Sequence, residues 1–266
     1  MQKLQIVGAL NVTPDSFYDG GKYLDVAAAV ERGAVMIADG ADVIEIGGQS
    51  SVSAPLVPAH EELQRVIPVL TALHQKFPRQ QFSVDTMSAV VAEESIKNGA
   101  TIINDVSAGR RDPRLLSVAA DAGCSLVLMY SKDLPPTDKA DRQYDDVIAH
   151  IKDFLSERVA AAVASGISKD KIILDPGLGY FVSADPQYSF QILARLREFV
   201  SLEFPIFLSP SRKSFLAGPQ KLPPEDRLPA TIAASVIAIL NGASYIRTHD
   251  VKEVRRGCEV VIELPE

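Results

Sequence analysis

Tryptophan is absent from this 266-residue chain, and aromatic residues make up only 6% of it. Its core is therefore built from Val, Ile, Leu and Ala. Cysteine is scarce: Cys124 and Cys258 sit in apolar contexts without metal-ligand spacing, which reads as two reduced core thiols of a cytoplasmic protein. Positive charge is not in excess, with 27 Lys and Arg against 34 Asp and Glu and a net charge of −7. That balance excludes a chain-wide basic face for nucleic acid and leaves room only for local anion sites. No apolar run approaches the roughly 20 residues that cross a bilayer. The first six residues, Met1-Gln2-Lys3-Leu4-Gln5-Ile6, lack the apolar stretch of an export signal, so no membrane partner is expected. A GxGxxG turn after the first strand is also missing, which makes a doubly wound nucleotide-binding sheet the second choice.

What is present is an ordinary globular composition, 47% hydrophobic and 23% charged. Short β-branched runs recur at 5–10, 42–46, 81–84, 101–104, 125–129, 171–174, 205–208 and 244–247. Most are continuously apolar rather than alternating, as parallel strands covered on both faces are. Segments with helical spacing lie between them, among them 25–39, 60–76, 88–98, 145–165, 186–200 and 228–240. Gly40-Ala41-Asp42, Gly99-Ala100-Thr101 and Gly242-Ala243-Ser244 each close a helical segment just before a strand, where a residue with positive φ is favoured. Eight such units predict a (β/α)₈ TIM barrel, one α/β domain over residues 1–266.

A barrel of this kind works at the C-terminal ends of its strands. Polar residues gather there: Asn11, Gly47-Gly48-Gln49-Ser50, Asp85, Asn104-Asp105, Met129-Tyr130, Asp175-Pro176-Gly177, Ser211-Arg212-Lys213 and Arg247-Thr248-His249-Asp250. Asp85, Asn104 and Asp175 can accept hydrogen bonds from the N–H edges of a planar amide-rich ring, and Lys213 can donate to its carbonyl. Arg247 and His249, with Asn11 and the Ser211-Arg212-Lys213 turn, supply cations and donors for a phosphate group. Phosphate sites in barrels often follow strands seven and eight, where this cluster falls. The first loop, with Asn11-Val12-Thr13-Pro14-Asp15-Ser16-Phe17, and the second, 50–58, have the Gly, Pro and Ser content of loops that close over a substrate.

These same segments resemble the signature motifs of the dihydropteroate synthase family. Asn11-Val12-Thr13-Pro14-Asp15-Ser16-Phe17, Ser83-Val84-Asp85-Thr86, Ile103-Asn104-Asp105-Val106-Ser107, Asp175-Pro176-Gly177-Leu178-Gly179, Ser211-Arg212-Lys213-Ser214 and Arg247-Thr248-His249-Asp250 appear in the family's order and spacing. The resemblance implies a folate-biosynthetic transferase that joins 6-hydroxymethyl-7,8-dihydropterin pyrophosphate to p-aminobenzoate. It assigns Asp85, Asn104, Met129, Asp175 and Lys213 to the pterin, and Asn11, Arg247 and His249 to the pyrophosphate. Asn11 is also the contact for Mg²⁺. Phe17, Ser51, Pro55, Tyr180 and Ser211 are assigned to p-aminobenzoate. Asp85, Lys213, Arg247 and His249 are the expected catalytic set, and a homodimer joined through barrel helices such as 228–240 is the expected assembly.

Departures from the family pattern fall on the p-aminobenzoate side. Val52 stands where an Arg is usual, Tyr130 where a His is common, and Tyr180-Phe181-Val182 replaces Phe-Gly-Lys. Features around Met129, Gly179 and Ser211 are similar to the sulfonamide-insensitive branch, while Val106-Ser107-Ala108-Gly109 is of housekeeping type. Sulfonamide sensitivity is the expectation. A pterin-dependent methyltransferase has no need of the pyrophosphate residues. A binding-only relative and a Schiff-base aldolase using Lys213 complete the competing readings.

Overall fold

The computed structural model describes residues 4–13, 18–19, 23–50 and 55–264. Eight strands, numbered here in chain order, form its centre: β1 (Gln5–Asn11), β2 (Val43–Gly47), β3 (Gln81–Asp85), β4 (Ile102–Asp105), β5 (Ser125–Met129), β6 (Ile172–Asp175), β7 (Ile206–Leu208) and β8 (Ala243–Thr248). All eight pair in parallel and close into a barrel, with β1 bonded to both β2 and β8. Each lies within one residue of the range expected from its β-branched run. The doubly wound alternative is thereby excluded.

Among the described residues, eight α-helices surround the barrel: α1 (Val26–Ala38), α2 (Ala59–Lys76), α3 (Ala89–Lys97), α4 (Arg114–Ala122), α5 (Val147–Ala164), α6 (Pro186–Ala194), α7 (Leu228–Leu240) and α8 (Val251–Ile262). Short polar side chains start several of them. Asp25, Ser88, Asp146 and Asp185 each accept a hydrogen bond from a backbone N–H in the first turn of α1, α3, α5 and α6. At their ends, Gly40, Gly99 and Gly242 adopt φ values of 99°, 107° and 101°, the positive-φ turn expected before a strand. The segment 186–200 is helical only to Ala194; a 3₁₀ helix, Leu196–Leu202, follows it. A two-residue antiparallel pair, Tyr18–Asp19 with Tyr23–Leu24, lies in the first loop.

The strands point alternate side chains inward and outward. On β2, Ile44 and Ile46 belong to the cluster between barrel and helices, while Val43 faces the interior. Inside, Val7, Val43, Ile102, Val127, Ile173 and Phe207 pack with Tyr245 into one apolar layer at the lower end. One pleat further along the strands the interior turns polar, with Glu45 and Ser83, then Asn104 and Asp175, all buried. The register aligns Asn11 with Gly47, Gly47 with Asp85, and Asp85 with Asn104 across β1 to β4. Parallel pairing alone thus brings residues far apart in sequence to one rim. Among the described residues no helix is long and apolar enough to cross a membrane.

Candidate active site

The rim opens on a cavity of about 310 Å³ whose lining includes Asn11, Asp85, Asn104, Met129, Asp175, Lys213, Arg247 and His249. Every residue that the family resemblance assigns to the pterin and the pyrophosphate is in this set. Glu45 sits beneath it, fully buried at the centre of a network. Its Oε1 accepts from Arg247 Nε, while Oε2 accepts from Ser83 Oγ and Asn104 Nδ2, each at 3.1 Å. Arg247 also approaches Asp85, with Nη2 3.8 Å from Oδ2. One Asp175 oxygen accepts from the Gly177 backbone N–H at 2.7 Å, leaving its second oxygen to the cavity side. Lys213 donates to the Leu178 carbonyl at 3.4 Å, and its ammonium lies 4.7 Å from the centre of the Phe181 ring.

Burial perturbs Asp85, Asp175, Lys213 and His249. It pushes the Asp85 carboxyl up to about 8, helped by the nearby Glu45 and opposed by Arg247. Asp175 is pushed up to about 7, again mainly by burial, with the Gly177 N–H and Lys213 working against the shift. Lys213 is pushed down to about 8 by burial, offset by Asp175 and Asp85. His249 falls to about 4 through burial and the charge of Arg247, so near pH 7 it is a neutral ring. Its Nδ1 is paired with Ser211 Oγ at 2.9 Å and its Nε2 with Asn11 Nδ2 at 3.4 Å.

Several sequence expectations change here. Arg212 does not join the phosphate cluster: it makes a two-pronged ion pair with Asp250 at 2.8 and 2.6 Å and donates to the Pro224 and Glu225 carbonyls. Tyr180 does not line the cavity. Lys139 lies over its ring at 5.5 Å, and the next residue, Phe181, turns inward instead. Pro55 is exposed and also outside the lining. Asp105 and Tyr130 likewise face away from the mouth. Asp105 accepts from Ser107 and Gly109 in the turn after β4, and Tyr130 bonds Tyr144 at 3.0 Å on the outer side of β5. Phe17, Ser51 and Val52 lie outside the described residues.

Sequence reasoning missed Glu45 and an apolar group of Met87, Val106 and Phe181 around Met129. Glu45 had a signal, a single charge in the apolar run Val43-Ile44-Glu45-Ile46. The apolar group had none, because its members sit in loops and read as ordinary packing. The stem of the second loop is held by Arg65, which donates to the Gly48 carbonyl at 2.7 Å, and by Gln49, which accepts from the Val57 N–H at 3.0 Å.

The model of the family described as pterin binding enzyme matches residues 7–249. The chain belongs to that family. The dihydropteroate synthase of Escherichia coli K12 is 41% identical over 257 residues, covering 96% of this chain and 90% of that protein. The crystal structure of the Clostridium difficile dihydropteroate synthase in the presence of pteroic acid superposes with a TM-score of 0.91 at 37% identity, covering 98% of this chain and 97% of that one. That of the Xanthomonas albilineans dihydropteroate synthase in complex with 7,8-dihydropteroate gives 0.87 at 36% identity, with 99% and 95% covered.

Proposed function

We propose that this chain is a dihydropteroate synthase, a transferase that condenses 6-hydroxymethyl-7,8-dihydropterin pyrophosphate with p-aminobenzoate to give 7,8-dihydropteroate and pyrophosphate. The observation that carries this reading is one cavity with two chemistries. Its lining combines the ring-edge acceptors Asp85, Asn104 and Asp175 and the donor Lys213 with the anion-binding residues Arg247, His249 and Asn11.

In this reading Asp175 and Asn104 accept ring N–H bonds, Lys213 donates to the ring carbonyl, and Met129 packs against the ring face. Arg247 and the Nε2 of His249 meet the pyrophosphate. The C–O bond to the pyrophosphate breaks with its electron pair leaving on oxygen. The cation left at the methylene is conjugated to the ring and stabilised by Asp85, whose carboxyl holds a proton near neutrality in the empty site and ionises as that positive charge develops beside it and Arg247. The arylamine nitrogen then forms the new C–N bond and releases a proton. An aryl amine is already unprotonated near neutrality, which suits a site where the buried His249 is a weak base. On the p-aminobenzoate side, Ser211 is outside the cavity lining and acts through His249, which its Oγ holds at 2.9 Å, while Phe17 and Ser51 are the candidates from the two loops.

Mg²⁺ fits what the chain provides. No group of three His, Cys, Asp or Glu is placed for a metal among the described residues, but Mg²⁺ bound with a substrate diphosphate takes few protein ligands and keeps several waters. Asn11 Nδ2 is turned to His249, which leaves Oδ1 for the ion. Gly47 keeps that space open, since a Cβ there would stand 3.6 Å from Asn11 Oδ1 and 3.7 Å from Asp85 Cβ. When bound, the ion neutralises charge on the departing pyrophosphate.

We also propose one catalytic domain per chain, in a homodimer. Ile237 and Leu240 on α7 and Val260 on the adjacent α8 are 43%, 46% and 62% exposed, apolar surface that a second copy would cover. Sedimentation at micromolar concentration tests this; a monomer would exclude it. The free, buried thiols of Cys124 and Cys258 suit the reducing cytoplasm. Inhibition by sulfonamides in competition with p-aminobenzoate is part of the same reading.

The deciding assay is release of pyrophosphate from the pterin substrate. It should depend on p-aminobenzoate and match formation of 7,8-dihydropteroate one for one. Pterin binding without release would indicate a binding-only protein.

A further inference from the structure

Asn104 Oδ1 is a buried oxygen with no hydrogen-bond partner among the described residues, on a side chain only 3% exposed that lines the cavity. Such an oxygen is costly unless a ligand satisfies it. The other end of the same amide is committed, because Nδ2 donates to Glu45 Oε2 at 3.1 Å. An asparagine amide can present either end to a ligand, and its neighbours decide which. Here the neighbour is a carboxylate already accepting from Arg247 and from Ser83 Oγ. A carboxylate in that role receives hydrogens, so only the NH₂ end of Asn104 can turn toward it. We infer that Glu45 is a positioning residue that fixes Asn104 as a hydrogen-bond acceptor toward the substrate ring and thereby makes the site selective for a ring presenting N–H at that edge. The same carboxylate aims the Arg247 guanidinium, so one buried group sets the ring-reading amide and the pyrophosphate-binding cation together.

The inference rests on the assignment of Asn104 to the pterin, and the test separates the two. Binding of the pterin ring without its pyrophosphate is measured by calorimetry, with melting temperatures as a check on folding. Asn104→Ala should weaken the ring; unchanged binding in that variant would overturn the assignment itself. In Glu45→Gln the new amide turns its oxygen to Arg247 and its NH₂ to Asn104, which drives the Asn104 amide over and offers NH₂ to the ring. Binding should weaken about 10- to 100-fold, the range for leaving buried polar groups mismatched. The double variant Glu45→Gln/Asn104→Asp exchanges donor and acceptor within the pair and returns an oxygen to the cavity. It should recover binding to within about threefold of wild type, which a purely structural role for Glu45 would not produce. Normal binding in Glu45→Gln, or no recovery in the double variant, overturns the inference. Should Glu45→Gln not fold, the wild type decides. Its Asn104 side-chain ¹⁵N–¹H resonances should hold their shifts on saturation with the ring, and a new hydrogen bond forming at that NH₂ overturns the inference.

Discussion

The His249 ring nitrogen Nδ1 lies 2.9 Å from Ser211 Oγ, and that hydroxyl also accepts the His249 backbone N–H at 3.1 Å. With Asn11 Nδ2 directed at Nε2, the ring hydrogen resides on Nδ1 and is given to Ser211. His249 is thus a neutral, oriented ring whose Nε2 becomes a donor only by taking a proton. Its ordinary value near 6.5 is pushed down to about 4, and an arriving pyrophosphate raises it again. Binding of pyrophosphate at pH 6 should therefore draw up to one proton onto the protein. Enthalpies measured in buffers of different ionisation heat report this uptake, and the difference between wild type and His249→Gln isolates it from the ligand's own protons.

Lys213 lines the cavity with the ring acceptors, and among the described residues of that lining it alone offers an ammonium. Lys213→Ala should reduce turnover below detection and weaken the pterin ring about 10- to 100-fold, as loss of a charged hydrogen bond does. Wild-type turnover in this variant would remove Lys213 from the mechanism.

Asp85 carries a stability cost with a definite sign. Its folded value, about 8, exceeds the ordinary 3.8, so the folded chain holds a proton that the unfolded chain releases between those pH values. Its contribution to stability is present at pH 4 and falls as pH rises toward 8. Asp85→Asn has no such loss. Its melting temperature relative to wild type should therefore climb from pH 4 to pH 8 and level off above, at about 2–4 °C for each kcal/mol regained in a domain of this size. A difference independent of pH would contradict the burial of this charge. The same variant should lose turnover, because the anion that stabilises the methylene cation is gone.

Phe181 and Tyr180 are adjacent aromatics with opposite orientations. Phe181→Ala should raise the KM for the pterin substrate several-fold, by removing the ring against which Lys213 lies. Tyr180→Ala should leave both KM values within about twofold. Steady-state kinetics of the two variants, side by side, test which ring belongs to the mouth.

The barrel was readable because its strands are short β-branched runs punctuated by glycine, a pattern that burial on both faces imposes on every parallel strand. The rim residues were readable for the related reason that polar groups at strand ends break that pattern. What escaped depends on orientation. Glu45 is a charge inside a strand, and its role emerges only when register sets it beside Ser83 and beneath Arg247. Whether Met129 or Tyr130, Tyr180 or Phe181, faces inward is decided by backbone twist at the end of a strand or in a turn. Arg212 looked like a free cation because its partner, Asp250, is 38 residues away. The helices α4 and α8 are not singled out in the sequence: α4 is short and, unlike α3 and α6 of the same length, starts without a capping side chain, and α8 begins just after the rim motif Arg247-Thr248-His249-Asp250.

The apolar layer of Val7, Val43, Ile102, Val127, Ile173, Phe207 and Tyr245 turns the barrel into a well with a sealed floor. A well has a single doorway, so traffic through it is last in, first out. In the proposed reading the pterin ring rests deepest, beside Asp175 and Asn104, and has to enter before anything can stand above it. The rim holds the groups for pyrophosphate and arylamine, whose arrivals and departures happen at the threshold. Queueing of this kind comes from the shape of the floor alone, before any contact with a substrate is considered.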